Sequence, residues 1–249
     1  MTLRRTMSLL AVAAVGLTPA LPAADRPSPA APLVQEVTPG IFEIGQVRLD
    51  KTARTVTFPA KLNMATGALE YLLVRPEGST HESLLVSSVQ PNEVHLAMLL
   101  LGAKGAGILA PAPKDAPPPQ LNAEYLKTAP KLQGDPLTLS VKWTKNGKPE
   151  SVPVESWIRN AETGKPAKAG AWIYTGSMFS GEHFLAQSEG VFAAVVTNPA
   201  ALINNPRDGS DNDQVWEVNE TAVPAVDTPL EFVIHLQTPA ENPPADSSK

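Results

Sequence analysis

The order of apolar and polar residues predicts short β-strands along most of this chain. Apolar and polar residues alternate in the runs 41–49 and 54–62, and again in 137–143 and 150–154. A period of two places successive side chains on opposite faces of a strand. Turn residues separate the members of each pair, and Asn146-Gly147 in the second pair is a strong signal for a tight hairpin turn. We therefore predict two β-hairpins.

A third hairpin is predicted where two runs are apolar almost throughout. Runs 69–75 and 83–87 flank Pro76 and Gly78, two residues that suit a tight turn. Strands without alternation are typically covered on both faces. We therefore expect these two strands to lie in the centre of a sheet.

The clearest helical segment is the apolar run 94–101. Asn92 is its predicted N-cap and Gly102 its predicted C-terminal stop. With these flanks the segment has about half the length that a membrane span needs, so we expect a core helix that covers one face of a sheet. A second, shorter helix is predicted at 199–203.

The remaining signals are further short strands. With one or two short helices, they predict a single mainly-β domain of short antiparallel strands, arranged as a sandwich or an irregular barrel. An α+β fold is the alternative. The further strands are predicted at 171–175, 183–187, 191–197, 215–218 and 230–236.

The N-terminal 24 residues have the pattern of a signal peptide. Arg4 and Arg5 form a basic start, and the uncharged apolar run 7–17 follows. Small residues end this segment at Ala24, just before Asp25, which is typical of a cleavage site. An uncleaved anchor is the alternative, and the arginine pair leaves both the Sec and the twin-arginine route open. We expect an exported chain, periplasmic or secreted, with no membrane span after cleavage.

The segments outside the strands and helices are rich in proline. Residues 25–32 are predicted to be a Pro/Ala linker and 239–249 a disordered tail, with the folded domain at 33–238. Inside the domain, 110–120 is predicted to be a Pro-rich surface loop. The loop is either an insertion without function, which we favour, or a flap over a site.

Composition then excludes several classes of function. The chain has no cysteine, so it has no disulfide, thiolate nucleophile or cysteine-ligated iron–sulfur cluster. Its 25 acidic and 20 basic residues give a net charge of −5, without the excess of basic residues that nucleic acid attracts. We therefore expect no nucleic-acid partner.

His81, Glu82 and His95 are the candidate catalytic residues. The His81-Glu82 pair lacks the second histidine of a helical zinc-hydrolase motif, because Leu85 stands at that position. The segment is also predicted to be a strand, which would place the two side chains on opposite faces. His81, His95 and an acidic residue could still meet around a zinc ion. A structural histidine is the more common role for His95.

Asp208, Asp211 and Asp213 are the candidate ligands of a hard cation. They lie in the run 204–213, which is rich in carboxylate and amide oxygens of the kind that calcium prefers. The same residue types build ordinary turns, and a solvated loop is the interpretation we favour. Arg207 in this run is predicted to pair with neighbouring acids rather than to clamp an anion. No resident cofactor is predicted, and zinc or calcium remains an alternative.

Three blocks of the sequence carry a resemblance to a known family. They are 67–74 (GALEYLLV), 80–85 (THESLL) and 95–102 (HLAMLLLG), with Asn205-Pro206-Arg207 and 213–216 (DQVW) downstream. Over most of 36–237 the chain resembles the YdjY-like domain of exported bacterial proteins. The family has no assigned reaction, so the resemblance implies a domain type and transfers no catalytic residue.

The sequence therefore supports two hypotheses about function. The first is a non-catalytic binding or interaction module whose partner is an envelope protein or ligand, because no recognised catalytic spacing is present. The alternative is an unfamiliar metal-dependent enzyme that uses His81, Glu82 and His95.

Overall fold

The computed structural model describes residues 34–105 and 132–237. The predicted signal peptide, the linker, the Pro-rich loop 110–120 and the tail 239–249 lie outside the described residues. Within the described ranges, neither helix has the length and apolar character needed to cross a membrane.

The described residues form sixteen strands, two α-helices and two 3₁₀ helices. The 3₁₀ helices span Thr80–Glu82 and Val154–Trp157, and the α-helices are α1 (Pro91–Leu100) and α2 (Leu185–Glu189). The strands are β1 (Val34–Thr38), β2 (Ile41–Ile44), β3 (Val47–Asp50), β4 (Thr55–Leu62), β5 (Tyr71–Val74), β6 (Ser83–Val86), β7 (Asp135–Lys145), β8 (Lys148–Pro153), β9 (Ile158–Asn160), β10 (Trp172–Tyr174), β11 (Phe179–Ser180), β12 (His183–Phe184), β13 (Val191–Ala194), β14 (Ile203–Asn204), β15 (Trp216–Val218) and β16 (Pro229–Leu236).

Twelve of the strands belong to one sheet that closes on itself. Its order is β1-β2-β3-β4-β16-β7-β10-β14-β13-β5-β6, β8 is added beside β7, and β6 pairs back with β4. The closed part contains eight strands, from β4 through β16 to β6. The prediction of a mainly-β domain with an irregular barrel is therefore confirmed. Two small two-stranded sheets, β11–β12 and β9–β15, complete the strand pairing of the described residues.

The core fills the inside of this barrel-like sheet. Phe58 on β4, Phe192 on β13 and Phe232 on β16 are at most 1% exposed. The ring centroid of Phe58 lies 5.8 Å from that of Phe192 and 5.5 Å from that of Phe232. Aromatic pairs at such distances add to the stabilisation from apolar burial. The alternating inward positions of β4, β7 and β16 therefore meet in one core.

Two of the predicted hairpins are confirmed. β7 and β8 pair across Asn146-Gly147, and both turn residues have positive φ, as a tight hairpin turn requires. β3 and β4 also form the expected antiparallel pair. The run 41–49 is not a single strand, however, because Gly45 with φ +59° turns the chain and splits it into β2 and β3.

The third predicted hairpin is wrong, because β5 and β6 are parallel. The connection 75–82 ends in a 3₁₀ helix and returns the chain to the starting end of β5 before β6 begins. The Asn63 side-chain amide donates to the carbonyls of Thr80 at 2.6 Å and Ser83 at 2.7 Å, which holds this return in place. The expected central position is confirmed: three residues of β5 and all four of β6 are buried.

The long helix α1 is confirmed, with a different start. Gln90 rather than Asn92 is the N-cap; its backbone N–H donates to the Glu93 carboxylate at 3.2 Å, and Pro91 occupies the first turn. Gly102 with φ +82° ends the helix as predicted. The helix packs against β3 and β4, but it is not covered all round, since Leu99 is 49% exposed.

The second helix lies at a different place from the prediction. Residues 199–203 form a turn that leads into β14, in which Ile203 and Asn204 are buried. The predicted strand 183–187 instead splits into the short strand β12 and helix α2. Strand predictions at 171–175, 191–197, 215–218 and 230–236 are confirmed as β10, β13, β15 and β16, with shorter bounds for the first three.

Candidate functional site

One face of α1 carries two side chains that are not part of the central core. His95 and Leu99 are four residues apart, so their side chains lie one turn apart on the same face. His95 Nδ1 lies 2.7 Å from the hydroxyl oxygen of Tyr174, whose side chain comes from β10 and is fully buried. This hydrogen bond fixes the orientation of the imidazole on the helix.

The tautomer of His95 follows from this bond. Tyr174 is fully buried, and among the described residues its hydroxyl has no acceptor other than His95 Nδ1, so the phenol donates its proton there. His95 Nδ1 must then accept, which a protonated imidazole cannot do. Burial also lowers the pKa of His95 from 6.5, which favours the neutral ring. A neutral ring that accepts at Nδ1 carries its hydrogen on Nε2.

Aromatic side chains continue the surface on the other side of His95. The ring of Phe184 on β12 lies 4.8 Å from that of His95, and the ring of Phe179 on β11 lies 5.1 Å from that of Phe184. Phe179 is 63% exposed, the largest exposure given for a large apolar side chain of the described residues. We call His95, Leu99, Phe179 and Phe184 the aromatic patch.

The aromatic patch is held by polar contacts beneath it. The Gln187 side chain of α2 donates to the Gln90 side chain at 2.7 Å and accepts from the backbone N–H of Asn92 at 3.2 Å. The Ser177 hydroxyl donates to the Ala200 carbonyl at 2.7 Å and accepts from the backbone N–H of Ala186 at 3.0 Å. The Gln187 bonds connect the start of α1 to α2, and the Ser177 bonds connect α2 to the turn at Ala200. These contacts fix the elements that carry the aromatic patch.

Of the three catalytic candidates, the structure brings His81 and Glu82 together. They occupy a 3₁₀ helix rather than the predicted strand, so the argument that they face opposite sides is wrong. His81 Nε2 lies 3.6 Å from a Glu82 carboxylate oxygen, and the His81 side chain is 76% exposed. Glu70 lies near both: burial, then the charges of Glu82 and Asp213, raise its pKa, while His81 lowers it.

The three aspartates of the candidate cation site lie on the surface. Asp208, Asp211 and Asp213 are all exposed. Among the residues at 34–105 and 132–237, no group of three or more His, Asp or Glu side chains is placed to hold a metal ion. In the described part of the chain, neither His81 with His95 nor the aspartate run is therefore gathered into a group of three such side chains.

Arg207 forms a buried ion pair with Glu155, a partner that the sequence did not indicate. Its guanidinium lies 2.7 Å from the carboxylate of Glu155, with the two side chains 12% and 5% exposed. Pairing with an acid was predicted, but Glu155 lies 52 residues away in sequence rather than in the neighbouring run. Trp172 Nε1 donates to the same carboxylate oxygen at 3.1 Å.

The guanidinium of Arg207 makes four hydrogen bonds within the described residues. It also donates to the carbonyls of Lys168 at 2.6 Å and Gly170 at 3.0 Å, and to the Asn205 side chain at 3.0 Å. Burial lowers the pKa of Arg207, and the Glu155 carboxylate acts in the opposite direction. With these contacts, Arg207 stabilises the loop it belongs to.

Comparison with known proteins gives one match. The model of the YdjY domain matches residues 47–235, which include every strand from β3 to β15 and most of β16. No curated protein and no solved structure matches the chain. The match covers both α1 and α2, and with them all four residues of the aromatic patch. The chain therefore belongs to the YdjY domain family.

Proposed function

We propose that this protein is an exported, non-catalytic binding module and that the aromatic patch is the surface on which its partner docks. The observation that carries the proposal is the exposure of Phe179 and Leu99, at 63% and 49%, beside the ordered rings of Phe184 and His95. Clustered, rigid apolar side chains on a surface mark interaction sites, whereas scattered ones do not.

The export part of the proposal rests on the sequence of residues 1–24. A basic start, an apolar run and small residues before Asp25 are the parts of a removable leader. We expect the mature protein to begin at Asp25. Intact mass of the protein recovered from the periplasm and the medium tests this, and a chain that keeps Met1 and stays with the membrane fraction would contradict it.

The binding part is tested by affinity isolation from the native cell envelope. Full chains with a C-terminal tag are compared as wild type, Phe179→Ser and the control Val226→Ser. Val226 is also an exposed apolar residue, at 48%, but it lies in the loop between β15 and β16 and not in the aromatic patch. We expect one stoichiometric partner with the wild type and the control, and at least tenfold less with Phe179→Ser.

Two results would contradict the binding proposal. Equal recovery with all three chains would show that the partner does not use Phe179. Recovery of no partner by the wild type would remove the basis for a binding module. Thermal unfolding of the three chains is the folding control, since exposed side chains contribute little to stability.

A further inference from the structure

His95 is the one polar member of the aromatic patch. Its Nε2 has no hydrogen-bond partner among the described residues. Nδ1 accepts from Tyr174 at 2.7 Å, so Nε2 carries the hydrogen. Among the described residues, Nε2 makes no hydrogen bond, and it is not one of the buried polar atoms left without a partner. Within the described part of the chain it is therefore an N–H donor without a protein partner, beside the ring of Phe184.

The surroundings of this donor select the kind of acceptor. Helix α1, the β11–β12 hairpin and α2 carry Glu93, Glu182 and Glu189 but no lysine or arginine. A carboxylate or phosphate would meet a neutral donor with no lysine or arginine on these three elements, and would lose hydration without gaining a cation. A neutral carbonyl oxygen fits the donor without that cost.

We infer that His95 Nε2–H donates to a main-chain carbonyl of an extended partner segment, which places a bulky apolar side chain against Phe179, Phe184 and Leu99. The segment is extended because a helix uses most of its carbonyls internally. A few precisely placed polar groups within an apolar surface give orientation and specificity. The inference rests on the proposed function, since it names the chemistry recognised by the same patch.

The test uses N-acetyl-phenylalaninamide as a probe, because this molecule carries one bulky apolar side chain between two amide carbonyls. The full chain at pH 7.5 is titrated with millimolar probe, and long-range ¹H–¹⁵N NMR follows the imidazole nitrogens of His95. We expect the free protein to show the Nε2–H tautomer and the probe to shift Nε2. N-acetyl-glycinamide, which has the carbonyls but no ring, is expected to shift nothing.

Variants separate the donor from the rest of the patch. His95→Gln keeps an acceptor for Tyr174 and a donor for the probe, so it is expected to retain most of the affinity. His95→Phe combined with Tyr174→Phe removes the donor without leaving a buried hydroxyl unpaired, and is expected to weaken the probe about fivefold. Phe179→Ser is expected to weaken it at least as much.

The outcomes distinguish this inference from the proposed function. Loss of probe binding in Phe179→Ser, but not in the His95/Tyr174 double variant, would overturn the role of His95 and leave the patch as a binding surface. Unchanged binding in Phe179→Ser would count against the patch itself. No shift of Nε2, or an Nδ1–H tautomer in the free protein, would overturn the inference directly.

Discussion

Single residues set the two polar features of this domain, and they do so in different ways. Arg207 and Glu155 form an ion pair that is largely buried, so they act within the fold. His95 is bonded to Tyr174 through Nδ1, and its Nε2 has no partner among the described residues. The sequence singled out both Arg207 and His95. It did not identify their partners, because Glu155 and Tyr174 come from a 3₁₀ helix and a strand that are distant in sequence.

Removing the guanidinium of Arg207 is expected to destabilise the domain strongly. Arg207→Ala leaves the carboxylate of Glu155 buried without its cation and frees the carbonyls of Lys168 and Gly170. Breaking a buried pair in this way costs about 3 kcal/mol of unfolding free energy. Urea unfolding followed by tryptophan fluorescence measures the loss.

Arg159 provides the matched control for this prediction. It pairs with Glu217 at the same distance, 2.7 Å, but both side chains are 29% exposed. Arg159→Ala is therefore expected to cost less than about 1 kcal/mol. Equal losses of unfolding free energy in the two variants would show that burial does not make the Arg207 pair more important for stability than the Arg159 pair.

The pH dependence of stability is expected to report on His95. Because burial lowers its pKa below 6.5, the unfolded chain binds more protons than the folded chain as pH falls through 6.5. Stability is therefore lost below that pH and the loss is complete below the folded pKa. Relative to His95→Gln, the wild type should lose stability between pH 7.5 and 5.5.

The comparison with His95→Gln isolates this effect from other titrating groups. Burial raises the pKa of Glu70 and of Glu189, which makes the folded state gain protons as pH falls and opposes the effect of His95. Both carboxyls are present in both proteins, so their contribution cancels in the difference. Parallel stability curves for the two proteins would contradict the assignment of a neutral, buried His95.

At the scale of elements, local signals predicted the structure wherever a local interaction decides it. Asn146-Gly147 gave the β7–β8 turn, and Gly102 gave the end of α1. The return of the chain before β6 is held instead by Asn63, just after β4, whose side chain donates to the carbonyls of Thr80 and Ser83. No pattern within 69–87 records that contact, so the sequence indicated two buried strands but not that they are parallel.

Another element-scale feature is the approach of the chain to Tyr174 on both sides of residues 106–131. Gly105 and Gly134 form an antiparallel bridge, and Lys104 and Asp135 exchange hydrogen bonds beside it. A Cβ on Gly134 would overlap the carbonyl oxygen of Tyr174. The glycine is therefore required for this close contact next to the residue that orients His95.

Gly134→Ala is expected to destabilise the domain by about 2 kcal/mol, because the added methyl group meets backbone and the φ of +146° is unfavourable. Gly164→Ala is the control: its φ is also positive, +66°, but nothing lies within 4 Å of the added atom. About 1 kcal/mol is expected there. Denaturant midpoints of the two variants measure both values. Equal midpoints would contradict the conclusion that the close contact with the Tyr174 carbonyl requires glycine at position 134.

At the scale of the whole molecule, the sequence predicted the fold class but not the aromatic patch. Alternating runs and turn residues predicted a mainly-β domain, and the closed sheet confirms it. The aromatic patch combines α1 with the β11–β12 hairpin, which are about 80 residues apart in the sequence. Phe179 and Phe184 carry no periodic signal in a segment this short. The packing of α2 against the start of α1 brings this segment beside His95.

The central claim is that a partner docks on the aromatic patch of the exported protein. The most direct measurement places a photo-activatable phenylalanine analogue at position 179 or, as the control, at position 226, which is also exposed, and cross-links in the living native cell. The account predicts one discrete cross-linked product from position 179 and none from position 226. No product from position 179, or the same product from both positions, would contradict it.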